Sequence, residues 1–160
     1  MKIAIPQNDA ILDWMAEQVE RPPRRFRARR RLAADQLRCH PDLCDRLHSM
    51  GTSLPGTQHR YVAGLCVLVH ANGVIWAVGG GTTWMSLRLP RHAHSAVVRS
   101  DWGQRGLDGE WIDVDPWMTD IEAHEGARRL RGWCWAAYEH AAELIPAPRP
   151  RPSTRREGPR

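Results

Sequence analysis

The spacing of apolar residues changes character along this chain, and each change predicts an element. Near the start, Ile11, Trp14, Met15 and Val19 recur on one side at helical spacing. Asn8 or Asp9 can cap that helix, and Pro22 with Pro23 ends it. Residues 32–37 read as helical. Pro41 then suits the first position of a further helix reaching Met50, with Gly51 as its stop. Residues 52–58 (TSLPGTQ) make a loop by their Ser, Thr, Pro and Gly content.

From residue 61 the period becomes that of strands. Residues 61–70 read as one strand with two apolar faces: Tyr61, Ala63, Leu65, Val67 and Val69 on one, Val62, Gly64, Cys66 and Leu68 on the other. A strand of that kind needs cover on both sides. Asn72-Gly73 is the strongest short hairpin signal, so residues 74–78 return as a second strand, and residues 79–81 (GGG) turn again. Residues 84–89 alternate, with Met85, Leu87 and Leu89 opposite Trp84, Ser86 and Arg88. Pro90 opens a short helix to about Val98, residues 102–109 form a Gly-punctuated loop, and residues 111–114 make a fourth strand stopped by Pro116.

The closing helix has the clearest period. Leu130, Trp133, Cys134, Ala137, Ala141 and Leu144 form one continuous stripe, with Thr119 and Glu122 at capping-box spacing. Trp135 falls about 140° from Leu130 at ~100° per residue, which points it away from that stripe. After Ile145 the sequence PAPRPRPSTRREGPR has almost no apolar content and is expected to be disordered or extended. The predicted fold class is therefore α+β: an antiparallel sheet of about four strands with helices packed on it. Residues 1–60 form a helical, Arg-rich extension, residues 61–145 the α+β domain, and residues 146–160 a tail.

Charge changes this picture in one respect. The formal net charge is +5 over 160 residues. Yet Arg21, Arg24, Arg25, Arg27, Arg29, Arg30 and Arg31 crowd one segment, and five more arginines lie in the tail. The rest of the chain holds 11 basic and 17 acidic residues. A mildly acidic body thus carries two basic appendages, and any contact with a polyanion such as nucleic acid is expected there. No apolar run approaches the ~18 residues of a membrane span. The N-terminus lacks the pattern of a signal peptide, so a cytoplasmic location without membrane association is expected.

Candidate chemistry is sparse. Four cysteines are too few and too irregular for a disulfide scaffold, and Cys66 and Cys134 fall in apolar stripes as small core residues. Cys39, His40, Cys44 and His48 are metal-ligand types. Pro41 interrupts them and no second Cys pair completes a zinc knuckle, so they read as ordinary helix residues, and no metal or cofactor is expected. His92 and His94 point apart in a helix. The GGGTT of residues 79–83 lacks the lysine of a phosphate loop. Asp113 and Asp115 share a strand face without a nucleophile or base beside them, so no catalytic residue is assigned. Eight tryptophans are unusual. Trp76, Trp111 and Trp133 fit core stripes, while Trp84, Trp117 and Trp135, with Asp113, are candidates for an interface or a pocket.

The order GLCVLVHANGVIWAV, MSLRLP, GEWIDVDPW and LRGWCWAAYEHAAEL resembles the TfoX N-terminal domain family and the related MmcQ/YjbR-like domains. The residues that carry the resemblance are Gly64, Asn72, Gly73, Gly109, Trp111, Asp115, Pro116 and Tyr138. It implies an antiparallel sheet with packed helices and a regulatory, DNA-associated role. The expected function is a small non-catalytic binding or regulatory module that recognises a protein partner or itself, with Arg-mediated nucleic-acid contact. The alternative is a small-molecule binder or enzyme with a Trp-lined pocket.

Overall fold

A computed structural model of the chain describes residues 2–20, 38–98, 103–105, 109–117 and 123–144. A 3-10 turn at Pro6–Asn8 leads into helix α1 (Asp9–Glu20), and α2 follows at Pro41–Thr52. The strands are β1 (Gln58–Val62), β2 (Leu65–Val69), β3 (Ile75–Gly80) and β4 (Trp84–Arg88). Helix α3 (Arg91–Val98), β5 (Gly103–Arg105), β6 (Trp111–Val114) and α4 (Ala123–Glu143) complete the order. The strands form one antiparallel sheet in the order β1-β2-β3-β4-β6-β5. The predicted α+β class and the long closing helix are present.

Two strand assignments need correction. The expected strand over residues 61–70 is a hairpin, with Val62 opposite Leu65 across a two-residue turn. Ala63 (φ 52°) and Gly64 (φ 82°) both take the left-handed conformation that such a turn requires. Ala63 hides the signal, because alanine rarely marks a turn of this kind. The sheet accordingly has six strands rather than about four, and β5 lies inside what read as a loop. The expected boundary between residues 60 and 61 falls inside β1.

Strands β2 and β3 are buried along their whole length. One face, with Cys66, Leu68, Met85, Leu87 and Ile112, packs under α2 (Leu43, Leu47) and α4 (Leu130, Cys134, Ala137, Ala141). The opposite face, with Leu65, Val67, Val69, Ile75 and Val78, packs under Ile11 and Met15 of α1. A bulge adjusts the register. Leu68 pairs with Ala77 while Val69 pairs with Ile75, so Trp76 is the extra residue. As a result Trp76 and Ala77 both face α4, and the fully buried Trp76 indole sits edge-on to Tyr138 at 6.3 Å.

Polar side chains fasten the helices to this sheet. Asn8 is wholly buried. Its Nδ2 donates to the carbonyls of Ile3 (2.7 Å) and Gly73 (2.8 Å), and its Oδ1 accepts from the Ile75 N–H (2.9 Å). Asn72 shapes the β2–β3 turn by accepting from the Val74 N–H, and donates to the Ala141 carbonyl at the end of α4. Arg88 is buried, pairs with the half-exposed Glu110 at 2.7 Å, and also donates to the Gln7 carbonyl. Gly79 lies against Leu47 and Leu43 of α2, where a Cβ would collide with the Leu47 side chain. No helix among the described residues is long and apolar enough to cross a membrane.

Asn8→Ala should lower unfolding stability by about 2–3 kcal/mol, because it removes the side-chain partners of the buried Ile75 N–H and the Gly73 carbonyl. Gly79→Ala should cost roughly 1–3 kcal/mol by overpacking the α2 contact. Urea denaturation midpoints check both. Trp135→Ala, which removes a half-exposed indole and its ring contact with Tyr138 at 5.9 Å, should cost about 0.5–1.5 kcal/mol.

Candidate functional site

The residues singled out from sequence do not converge on one cleft. Ser86 of β4 and Asp113 of β6 are directly paired. The indole of Trp84 lies beside them and also meets Trp14 of α1, with ring centroids 5.5 Å apart. Ser86 is fully buried, and its Oγ and the Asp113 Oδ1 lack a hydrogen-bond partner among the described residues. Burial raises the Asp113 carboxyl above the ordinary range, opposed in part by the neighbouring Ser86 and Trp84 side chains. Trp117 stands apart, its Nε1 donating to the Thr82 carbonyl at 2.7 Å and its N–H to Asp115. Trp135 is on α4, on the other side of the sheet, with 47% of its surface exposed. Arg21, Arg24, Arg25, Arg27, Arg29, Arg30 and Arg31 lie outside the described residues, as do Trp102, the proposed cap at Thr119 and the C-terminal tail.

A different group forms at the β1 edge of the sheet. Cys39 precedes α2, Cys44 sits in its first turn and Cys66 lies on β2, yet their sulfurs all fall within 4.8 Å of one another. His59 of β1 shares their side of the sheet, and its Nε2 is 2.8 Å from the Cys66 Sγ. Backbone bonds hold the approach in place. The Cys39 N–H donates to the Gly64 carbonyl of the β1–β2 turn (2.9 Å), and the His40 N–H to the Gly81 carbonyl of the β3–β4 turn (2.8 Å). Pro41 supplies the first turn of α2, and the His40 Nδ1 accepts from the Asp42 N–H as its cap. Around the sulfurs, His48 and His59 meet edge to face at 5.4 Å, and His59 and Tyr61 at 5.0 Å.

The electrostatics follow from this crowding. The Cys66 thiol, followed by burial, pushes the Cys39 thiol far above its usual range. Burial, then Cys39, raises Cys44. Burial and the neighbouring His48 lower His59, which favours its neutral imidazole. Cys134 is buried elsewhere, beside the Met50 sulfur at 4.0 Å. Sequence spacing placed Cys39 and Cys44 with His40 and His48. The fold instead joins them to Cys66 and His59, through strand pairing that local spacing does not encode.

No family model matches the chain, nor does any curated protein or solved structure. The remaining functional surface therefore has to be read from the residues alone. On α4, the positions facing away from the core carry Arg128, Arg131, Gly132, Trp135 and Glu139, all exposed. At ~100° per residue they fall in one stripe, two arginines beside an indole. The remaining candidate, His94, is occupied in the fold: its Nε2 lies 2.8 Å from the Leu89 carbonyl.

Asp113 gives a signed test. Its folded carboxyl binds its proton more tightly than the unfolded one, so its contribution is fully present below the ordinary carboxyl range. That contribution is lost as pH rises through the raised folded value. Asp113→Asn should therefore melt higher than the parent at pH 7, with the difference vanishing near pH 3. Thermal denaturation across that range measures it.

Proposed function

We propose that the protein is a small, cytoplasmic, non-catalytic binding or regulatory module of the kind its resemblance to TfoX N-terminal domains implies, and that its contact surface takes single-stranded nucleic acid. The observation that carries this reading is the outward stripe of α4. Arg131 and Arg128 stand about one and two turns before Trp135 on a helix whose opposite side is committed to the core. Guanidinium groups beside an accessible indole suit a phosphate backbone whose bases can stack. The arginines of residues 21–31 would add affinity without adding sequence preference.

The test is fluorescence anisotropy of a labelled single-stranded oligonucleotide at several salt concentrations. Affinity should fall by roughly 0.7 log units per log unit of salt for each phosphate neutralised. Replacing Arg128 and Arg131 with alanine together should flatten that slope by about 1–2 log units, and deleting residues 21–31 should flatten it further. Trp135→Ala should cost about 1–3 kcal/mol of binding. Absence of binding at low salt would end the nucleic-acid reading. Light scattering across protein concentration would then decide whether the same stripe mediates self-association.

A second reading, a small-molecule site, draws on the partnerless Ser86 and Asp113 oxygens beside Trp84. A hydrogen-bond-donating ligand seated there should raise the melting temperature of the parent and not that of Asp113→Asn. Trp117 and Trp135 lie elsewhere and take no part in it.

A further inference from the structure

We infer that Cys39, Cys44, Cys66 and His59 form a closed, structural zinc site. The inference is independent of the nucleic-acid reading and departs from the sequence expectation of no metal.

Three arguments support it. The first is chemical. Three sulfurs and one imidazole nitrogen are a donor set that structural zinc prefers, and softness selects zinc over oxygen-seeking cations. The second is geometric. Tetrahedral zinc with ordinary bond lengths places its sulfurs about 3.8 Å apart and a sulfur and a nitrogen about 3.6 Å apart. The sulfurs already lie within 4.8 Å of one another, and the His59 Nε2 is 2.8 Å from the Cys66 Sγ. The sulfurs need to draw in by up to about an ångström, and the His59 ring has to move off the Cys66 Sγ toward the other two sulfurs to take the fourth position. The third is preorganisation. The donors come from four places in the fold: the segment before α2, its first turn, β1 and β2. The backbone bonds from Cys39 to Gly64 and from His40 to Gly81 hold the first of these across two turns.

The surroundings agree with a closed site rather than a catalytic one. Cys44 and Cys66 are buried, and Cys39 is half-buried. No ligand position is left for water once His59 binds. Crowded neutral thiols are costly to ionise without a cation, and a bound dication reverses that logic. Binding converts three thiols to thiolates and releases three protons while the imidazole binds neutral. Affinity should therefore rise with pH.

The experiment uses the full chain, reduced with a phosphine and freed of metal by a chelator. Cobalt(II) serves as a spectroscopic probe and zinc(II) as its competitor. We expect one cobalt per chain, with intense tetrahedral d–d bands and near-ultraviolet thiolate charge transfer, both erased by equimolar zinc. Zinc should raise the melting temperature and release protons into a weakly buffered solution. Cys39→Ser, at the half-buried position, should weaken zinc binding at least tenfold, and so should His59→Ala. Cys134→Ser and His48→Ala should bind as the parent does. The parent titration requires no variant to fold. Absence of thiolate charge transfer, or bands of octahedral character, would overturn the site. Loss of binding in His48→Ala but not in His59→Ala would overturn the assignment of the fourth ligand.

Discussion

Burial of β2 and β3 on both faces is the constraint from which the rest of the architecture follows. Every residue of these two strands is inaccessible to solvent, and a sheet apolar on both sides must be covered twice. Helices α2 and α4 supply one layer. Helix α1 supplies the other, with Ile11 and Met15 buried among its described side chains and Leu12 and Trp14 packed beside them. Asn8 anchors that layer. Two of its three bonds, to the Gly73 carbonyl and from the Ile75 N–H, tie the start of α1 to the β2–β3 turn and satisfy buried backbone groups there. The first helix is thus part of the domain's core rather than an appendage to it.

What was legible in the sequence was whatever has a local cause. The stripe on α4 follows from its period, and its small members Ala137 and Ala141 let the helix approach β3 and β4 closely. Asn72-Gly73 marks its hairpin because the side chain itself bonds within the turn. Pro41 and Pro90 announce helix starts. The two-sided apolar character read over residues 61–70 requires cover on both faces, and for β2 the second cover is α1. The failures have an equally definite cause. The Ala63–Gly64 turn interrupts no apolar run, so periodicity passes straight through it. The bulge at Trp76 turns two successive residues to one face, which a strict alternation of faces forbids. Strand β5 has only three residues, too few to show a period at all.

The thiol–imidazole group shows the same division. Cys39 and Cys44 are ligand types that read as ordinary helix residues, and the neighbours the fold gives them, Cys66 and His59, lie far along the chain. Cys66 read as a core residue, which in burial it is. Its meeting with His59 depends on strand register: Tyr61 opposes Cys66 and His59 opposes Leu68, so all four face α2. A one-residue slip would send His59 to the other side of the sheet. Register is set here by the Ala63–Gly64 turn, so the meeting of these side chains depends on a turn that apolar periodicity does not reveal.

The position of the group also fits the energetics of the sheet. Strand β1 is an edge strand, less buried than β2 or β3, with 62% of Tyr61 exposed. An edge of this kind is where apolar packing alone is weakest and where unpaired backbone groups invite slippage. Three of the four cysteines in the chain lie between α2 and this edge, the place where aliphatic cover gives out. Reduced thiols there act as small apolar fillers while keeping a chemistry that leucine lacks. A link from α2 to β1 and β2 would fix the register on which the inner strands depend. Over the central strands β3 and β4, α4 covers the sheet with a complete stripe, and its far side is left with Arg128, Arg131 and Trp135. The thiols and His59 thus gather toward the edge of the sheet, while the exposed Arg and Trp positions of α4 lie behind the packed centre of it.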